Sequence, residues 1–374
     1  MPQIEYKIFF GNKPATRDQL DMVEEITVEQ DVDMAWAARL QLPICTDDKG
    51  NWTGVDDAFL AAFGRVRVEI KVGDGDFLPL IDGPIVGYDN TMSSEPGQSA
   101  ITLQVHDDSV YLNRSDSIAR FDDMLDHEIA DQLFGAIAQI AATDVETTPA
   151  PTGTSTSSVV QRGTEIQILR SLAERQGMHA YVLPGPNPGE SVGCFKKFPT
   201  KADGLPPLIL LGPDRNVETF LGKEDSQSPA RIEVFALSLT DKVVTKRTAS
   251  FRDVELLGQD PSPVKDGDAA THVAPPLHGD SVDLDQYVAG VAEKFSYSFE
   301  ATGKLSGDCY PASLSPYRIV TVKGVNPKQS GDYLISHVTH TLTRNTYSQS
   351  FTMKRNARSQ SAVGGLADLA GTIF

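Results

Sequence analysis

Polar and apolar residues alternate along both ends of the chain, while the middle switches to a helical period. The cleanest alternation is Arg65-Val66-Arg67-Val68-Glu69-Ile70-Lys71-Val72. Side chains two apart share one face of a strand, so valine and isoleucine are predicted inward and the charges outward. Further strands are predicted over 4–9, 26–29, 78–81, 85–88 and 100–106, with a turn at Gly73-Asp74-Gly75-Asp76. Short strands at roughly ten-residue spacing predict a barrel or sandwich for residues 1–115. A short helix over 56–63, stopped by Gly64, is expected to plug or cap it.

The C-terminal part reads as an antiparallel meander. Strand-length runs cover 317–324, 333–342 and 347–355, separated by glycine-, proline- and asparagine-containing turns. Leu334, Ser336, Val338, His340 and Leu342 share one face of the second run, and Tyr347, Phe351 and Met353 share one face of the third.

Between these ends the period changes. Leu125, Ile129, Leu133, Ile137 and Ile140 form an apolar stripe that predicts a helix of roughly four turns. It leads into a Thr/Ser/Pro-rich linker over 143–160. A second helix opens at Thr164, with Gln167 completing a capping box; it buries Ile166, Leu169 and Ala173, flanked by Ile168 and Leu172, and stops at Gly177. Strands follow over 178–182, 208–211, 232–239 and 243–246. An acidic, proline-rich insertion over 258–280 is predicted exposed. A third helix over 283–296 starts at Asp283 and buries Leu284, Tyr287, Val288, Val291 and Phe295. The organisation predicted is a first β-barrel domain (1–115), a middle α+β domain (116–215), a second β-barrel domain (216–356) and a tail (357–374). The tail is small and apolar, and Leu366, Leu369, Ile373 and Phe374 make it a candidate for docking on a partner.

The chain has 374 residues, with 51 acidic against 33 basic side chains and a net charge of −18. That balance argues against specific nucleic-acid binding, which needs clustered Lys and Arg. Cys45, Cys194 and Cys309 form no CxxC pair and are expected as buried thiols. No apolar run is long enough to span a membrane, and no secretory signal opens the chain, so neither membrane insertion nor export by a leader is expected.

Candidate chemistry is sparse. His337 and His340 are three apart on a strand, hence on opposite faces and unable to share a metal. His106-Asp107-Asp108 reads as a strand end with turn-forming acids. His127, with Asp126, Glu128 and Asp131, reads as the solvated face of a helix. Trp36 and Trp52 suit a core as well as a binding platform. No nucleophile elbow, zinc-protease motif or phosphate loop occurs. No catalytic, cofactor-binding or metal-ligating residue is assigned, and neither a cofactor nor an enzymatic activity is expected.

Three stretches carry a family resemblance. Residues 164–178, with Leu172-Ala173-Glu174-Arg175 and Gly177, look like a helix-then-strand element of contractile injection system baseplate hubs. Residues 330–340, with Gly331, Tyr333, Val338 and His340, are similar to that family's closing strand, and 347–356, with Tyr347 and Arg355, to its final one. Pro79-Leu80-Ile81 and Gly83-Pro84-Ile85-Val86 are a weaker match in the first barrel. The chain thus resembles the phage late control protein D family, the T4 phage baseplate hub and the N-terminal part of VgrG. The Thr/Ser linker and the 258–280 insertion depart from the family pattern. Lacking a repetitive β-helical needle, the chain resembles a stand-alone hub whose spike is a separate polypeptide.

The resemblance implies a mainly β, α+β protein with two tube-protein-like antiparallel β-barrels, assembling as a homotrimer. It implies a hexameric tube protein, a spike protein, baseplate wedge proteins and a tape-measure or cargo as partners. It further implies assembly in the bacterial cytoplasm and residence in the baseplate of a virion or injection particle. Two other classes stand beside it: a particle-associated peptidoglycan hydrolase, and a carbohydrate- or cell-binding β-protein.

Overall fold

In the computed structural model, residues 3–52, 61–95, 97–150, 158–237, 242–261, 270–275, 283–306 and 309–358 are described. The alternating N-terminal segments become β1 (Ile4–Phe10), β2 (Lys13–Pro14), β3 (Glu25–Asp31), β4 (Ala37–Pro43), β5 (Arg65–Val72), β6 (Leu78–Thr91) and β7 (Ala100–His106), with α1 (Arg17–Met22) after β2. The strands predicted over 78–81 and 85–88 are one: β6 gives its first half to β5 and its second to β7, with a register shift between Ile85 and Gly87. Gly83 permits this fold-over, because a Cβ there would lie 1.8 Å from the His106 carbonyl oxygen. The sheet thereby curls around a core that includes Leu40, Val66, Val68, Ile81 and Leu103. The helix predicted over 56–63 falls largely outside the described residues.

The middle of the chain supplies α2 (Ser109–Leu112), β8 (Ser117–Asp122), α3 (Asp126–Gly135), β9 (Ile140–Val145), β10 (Ser158–Gly163), α4 (Glu165–Gln176), β11 (His179–Pro184) and β12 (Ser191–Lys196). The first predicted helix is shorter than its stripe. α3 ends at Gly135, the Ala136 N–H turns to the Gln132 and Phe134 carbonyls, and Ile140 opens a strand. The predicted linker likewise begins as structure: β9 pairs in parallel with β12, fifty residues on, so no local signal marks it. Residues 151–157 lie outside the described part.

The C-terminal half adds β13 (Leu208–Ile209), β14 (Val217–Glu224), β15 (Arg231–Leu237), β16 (Val244–Ser250), β17 (Thr271–Val273), α5 (Leu284–Ser296), β18 (Phe299–Ser306), β19 (Ile319–Lys323), β20 (Gly331–Thr343) and β21 (Tyr347–Arg355). The insertion predicted exposed over 258–280 contains β17, which pairs in parallel with β15. Tyr287, Val288 and Val291 of α5 cover Ile232 and Val234 of β15.

One sheet joins both halves, in the order β14-β18-β21-β20-β3-β4-β7-β6-β5-β1-β2, with β13 and β19 attached beside β20. The junction is the antiparallel ladder of β20 with β3, from His337↔Asp31 to Thr343↔Glu25. β20 feeds two cores. Tyr333, Ile335 and Val338 join Leu305, Val322 and Met353, while Leu342 joins the N-terminal core. The bulge between Ile335 and His337 corrects the single face predicted for this strand: Leu334 packs instead with Leu257 and Ile319. On β21, Tyr347 enters the N-terminal core, and Phe351 and Met353 the other. Of the cysteines predicted buried, Cys194 is; Cys45 and Cys309 are exposed.

Candidate functional site

The alternation in β5 is real, yet its polar face is covered. Arg67 is 2% exposed and Glu69 8%, against the outward placement expected. The turn between β11 and β12 explains it. Arg67 Nη1 donates to the Gly185 carbonyl at 2.8 Å and to Asp82 Oδ2 at 3.0 Å, its Nη2 donates to the Pro186 carbonyl at 3.2 Å, and its Nε donates to Glu69 at 2.7 Å. Gly189 N–H donates to Asp82, and a Cβ at Gly189 would sit 2.4 Å from the Asn12 amide nitrogen.

Arg65 continues the network. It bonds Asp108 through both Nη atoms at 2.8 and 2.7 Å, and Asp82 through Nε at 2.7 Å. Burial works against the Arg65 charge, but Asp108 and Asp82 outweigh it and raise the guanidinium pKa. Asp108 also accepts from the Ser191 hydroxyl at 2.6 Å. Asp107 accepts from the Trp36 and Ser109 backbone N–H groups; burial nevertheless pushes its carboxyl up to about 6. As expected, these two acids end the strand, Asp107 forming the turn by accepting from the Ser109 N–H two residues on, and both are buried. Such a network costs several kcal/mol to desolvate and stabilises only while every member is paired.

The family-motif residues gather at two places. At the end of α4, Leu172 and Ala173 are buried, Glu174 faces Lys294 at 3.6 Å, and Arg175 Nε donates to Asp126 at 2.6 Å. Asp126 is thus buried rather than solvated, and His127 packs its Nδ1 against the Thr148 hydroxyl at 3.0 Å. Gly177 adopts the left-handed conformation at φ 64°. A Cβ there would stand 2.7 Å from the Gly290 Cα of α5.

In the closing sheet, Arg355 lies across Gly331, which has φ 131°. Its guanidinium stands 5.6 Å from the Tyr333 ring centre, and its Nη1 donates to the Ser330 carbonyl at 2.5 Å. His340 is fully buried between Tyr347 and Gln30, and Val338 is buried beside it. His337, on the other face, meets Asp31 at 3.1 Å. Trp36 is core and Trp52 is exposed. Leu366, Leu369, Ile373 and Phe374 lie outside the described residues.

A cavity of about 450 Å³ opens where α4, α5, β11 and β20 meet. His179 stacks on Phe198 at 3.7 Å between centroids and bonds both Asp33 carboxylate oxygens, at 2.8 and 2.9 Å. Tyr317 stacks on Tyr181 at 3.6 Å, and its hydroxyl accepts from the Asp33 N–H at 2.8 Å. These stacks hold Tyr317 in a left-handed backbone, φ 61°, that costs roughly 1–2 kcal/mol for such a residue. The Asp33–His179 contact spans 146 positions, so no sequence pattern announces it. Among the described residues, no three His, Cys, Asp or Glu side chains gather at metal-ligand spacing. Nor, among them, is any helix long and apolar enough to cross a membrane.

No family model and no curated relative matches the sequence. Solved structures do match, along nearly the whole chain. The tail protein from Neisseria meningitidis MC58 superposes with a TM-score of 0.64 at 16% identity, covering 94% of this chain and 96% of that one. The fold is that of phage tail proteins. The 43 kDa tail protein of prophage MuSo2 from Shewanella oneidensis gives 0.61 at 14% identity, over 94% and 98% of the two chains. An E. coli component of the type VI secretion system, similar in structure to T4 bacteriophage tail proteins, gives 0.56 at 11% identity, over 96% and 80%. The large curled antiparallel sheet matches this tail-protein fold, and the neighbours agree with the resemblance to baseplate hubs and VgrG.

Proposed function

We propose that the chain is a structural baseplate hub of a contractile injection system: a homotrimer adapting a hexameric tail tube to a trimeric spike. The observation that carries this reading is the shape of the sheet, taken with its near full-length likeness to tail proteins. On either side of the β3–β20 junction the order is a hairpin and then two more antiparallel strands: β3, β4, β7, β6 on one side and β20, β21, β18, β14 on the other. Each side has its own core. Two equivalent β units per chain, within residues 1–115 and 216–356, would let three chains offer six quasi-equivalent positions to a hexameric ring.

In this reading residues 116–215 connect the two units along the chain and pack against both, the 357–374 tail docks on a neighbouring chain or the spike, and wedge proteins surround the ring. A tape-measure or cargo occupies its bore. The hub assembles in the bacterial cytoplasm and works in the baseplate of a virion or injection particle, without catalysis of its own. Mass measurement of the purified chain mixed with its spike should return three copies per spike; a strict monomer in that mixture would sink the reading. Clearing of a peptidoglycan gel by this chain alone would favour the hydrolase alternative instead.

A further inference from the structure

Every charged group that lines the cavity is accounted for, except two. Asp33 bonds His179, Glu174 faces Lys294, and Glu300 and Lys354 are exposed to solvent. Arg170 and Glu293 remain. Both are half-buried, and neither side chain makes a hydrogen bond or ion pair with a described residue. The Arg170 Nε is fully buried without a partner. Burial raises the Glu293 carboxyl pKa, even though His179 and Lys197 pull it the other way.

The two residues approach the cavity from different helices. Gln286 donates to the Gln176 carbonyl, Gly290 touches Gly177 and Lys294 faces Glu174, so α4 and α5 run antiparallel. Arg170, one turn before Glu174 on α4, and Tyr297, at the end of α5, both line the cavity. His179 and Phe198, stacked at 3.7 Å, line the same cavity, with the Tyr297 ring 6.1 Å from Phe198. A cation and an anion, neither paired with a described residue, therefore line one aromatic-walled cavity with no ion pair between them. A buried charge without a partner is costly, and natural proteins keep such costs mainly where a ligand relieves them.

We propose that this cavity binds a small zwitterion of the free amino-acid class, its carboxylate on Arg170 and its ammonium on Glu293. The planar guanidinium suits a carboxylate, and the volume suits a molecule of that size. A simple anion would satisfy only Arg170 and would meet the unpaired Glu293 carboxylate; a simple cation has the converse fault. The inference does not depend on the assembly reading.

The test is calorimetric titration of the full chain with the twenty L-amino acids and with glycine, β-alanine, 4-aminobutyrate and 5-aminovalerate, which vary the charge spacing. Acetate and methylammonium serve as single-charge probes. At least one zwitterion should bind saturably, at least about tenfold tighter than either single-charge probe. Arg170→Met and Glu293→Gln should each weaken that binding by about tenfold or more. Without probe, both variants should melt at or above the wild-type temperature, because each removes a half-buried charge that has no partner among the described residues. Three results would overturn the proposal: no saturable binding by any zwitterion, equal binding of acetate or methylammonium, or unliganded variants that melt well below wild type. The last would make the two groups structural.

Discussion

Two hydrogen bonds hold the His340 imidazole in one neutral tautomer: the Tyr347 hydroxyl donates to Nδ1 at 2.9 Å, and Nε2–H donates to Gln30 Oε1 at 3.2 Å. Gln30 is oriented for this by donating its own amide to the Leu80 carbonyl at 2.8 Å. Burial, with a smaller contribution from His337, pushes the His340 pKa down to about 3. The unfolded imidazole titrates near pH 6.5, so above that pH neither state binds the proton and the full stability is present. Below it the unfolded chain takes up a proton that the native state refuses. Stability therefore falls by roughly 1.4 kcal/mol per pH unit on the way down toward the native pKa. His340→Gln should lose about 1–3 kcal/mol near pH 7 and flatten the acid limb by about one proton. Urea midpoints measured from pH 7 to 4 check this; parallel profiles for the two proteins would contradict it. The parity of 338, 340 and 342 already put His340 on the core side. The bulge beyond Ser336, which moves Leu334 to another cluster, had no counterpart in the pattern, because an extra residue leaves the composition of a strand unchanged.

Helix α4 was legible almost completely, since each of its signals is local. Thr164 and Gln167 form the capping box, the stripe from Ile166 to Ala173 is buried, and Gly177 supplies the left-handed stop. What faces Gly177 was not legible. The Gly290 contact joins residues more than a hundred positions apart and lets two helix backbones approach closely. The same holds for Arg67: alternation alone marks it as outward, and only the distant 184–190 turn makes it buried. Gly177→Ala should therefore cost more than a lost cap. The left-handed backbone contributes roughly 1–2 kcal/mol and the forced separation of α4 from α5 a further 1–3 kcal/mol. Gly290→Ala meets the Gly177 Cα at 2.4 Å and should cost about 1–3 kcal/mol from the overlap. Gly135→Ala, at the end of α3 with nothing within 4 Å, is the control and should be neutral or stabilising by up to about 1 kcal/mol. Chemical denaturation of the three variants ranks them; a Gly177→Ala protein as stable as the Gly135→Ala control would show that the helices are not in contact there.

At the scale of the whole molecule, the decisive feature is that two cores share one sheet. β20 carries Val338 into one core and Leu342 into the other, and β21 does the same with Phe351 and Tyr347. Neither core can lose its strands without stripping the other, because the seven-pair β20–β3 ladder lies between them. The Arg65–Arg67 network then fastens the β11–β12 turn to the same sheet. The small β16-β15-β17 sheet differs. Among the described residues it pairs with no strand of the large sheet, and its core is completed by α5, which meets α4 at Gly290. Native-state hydrogen exchange should resolve this difference, since cooperative units open with the free energy of the contacts they lose. Amides of β3, β4, β20 and β21 should share one slow class set by global unfolding, although they come from opposite ends of the chain. Amides of β15 and β16 should exchange faster, by local opening, and faster still in Gly290→Ala. If β3 and β20 instead fell into separate classes, each half would be an autonomous barrel resting against its neighbour, and the continuous sheet would not be what couples them.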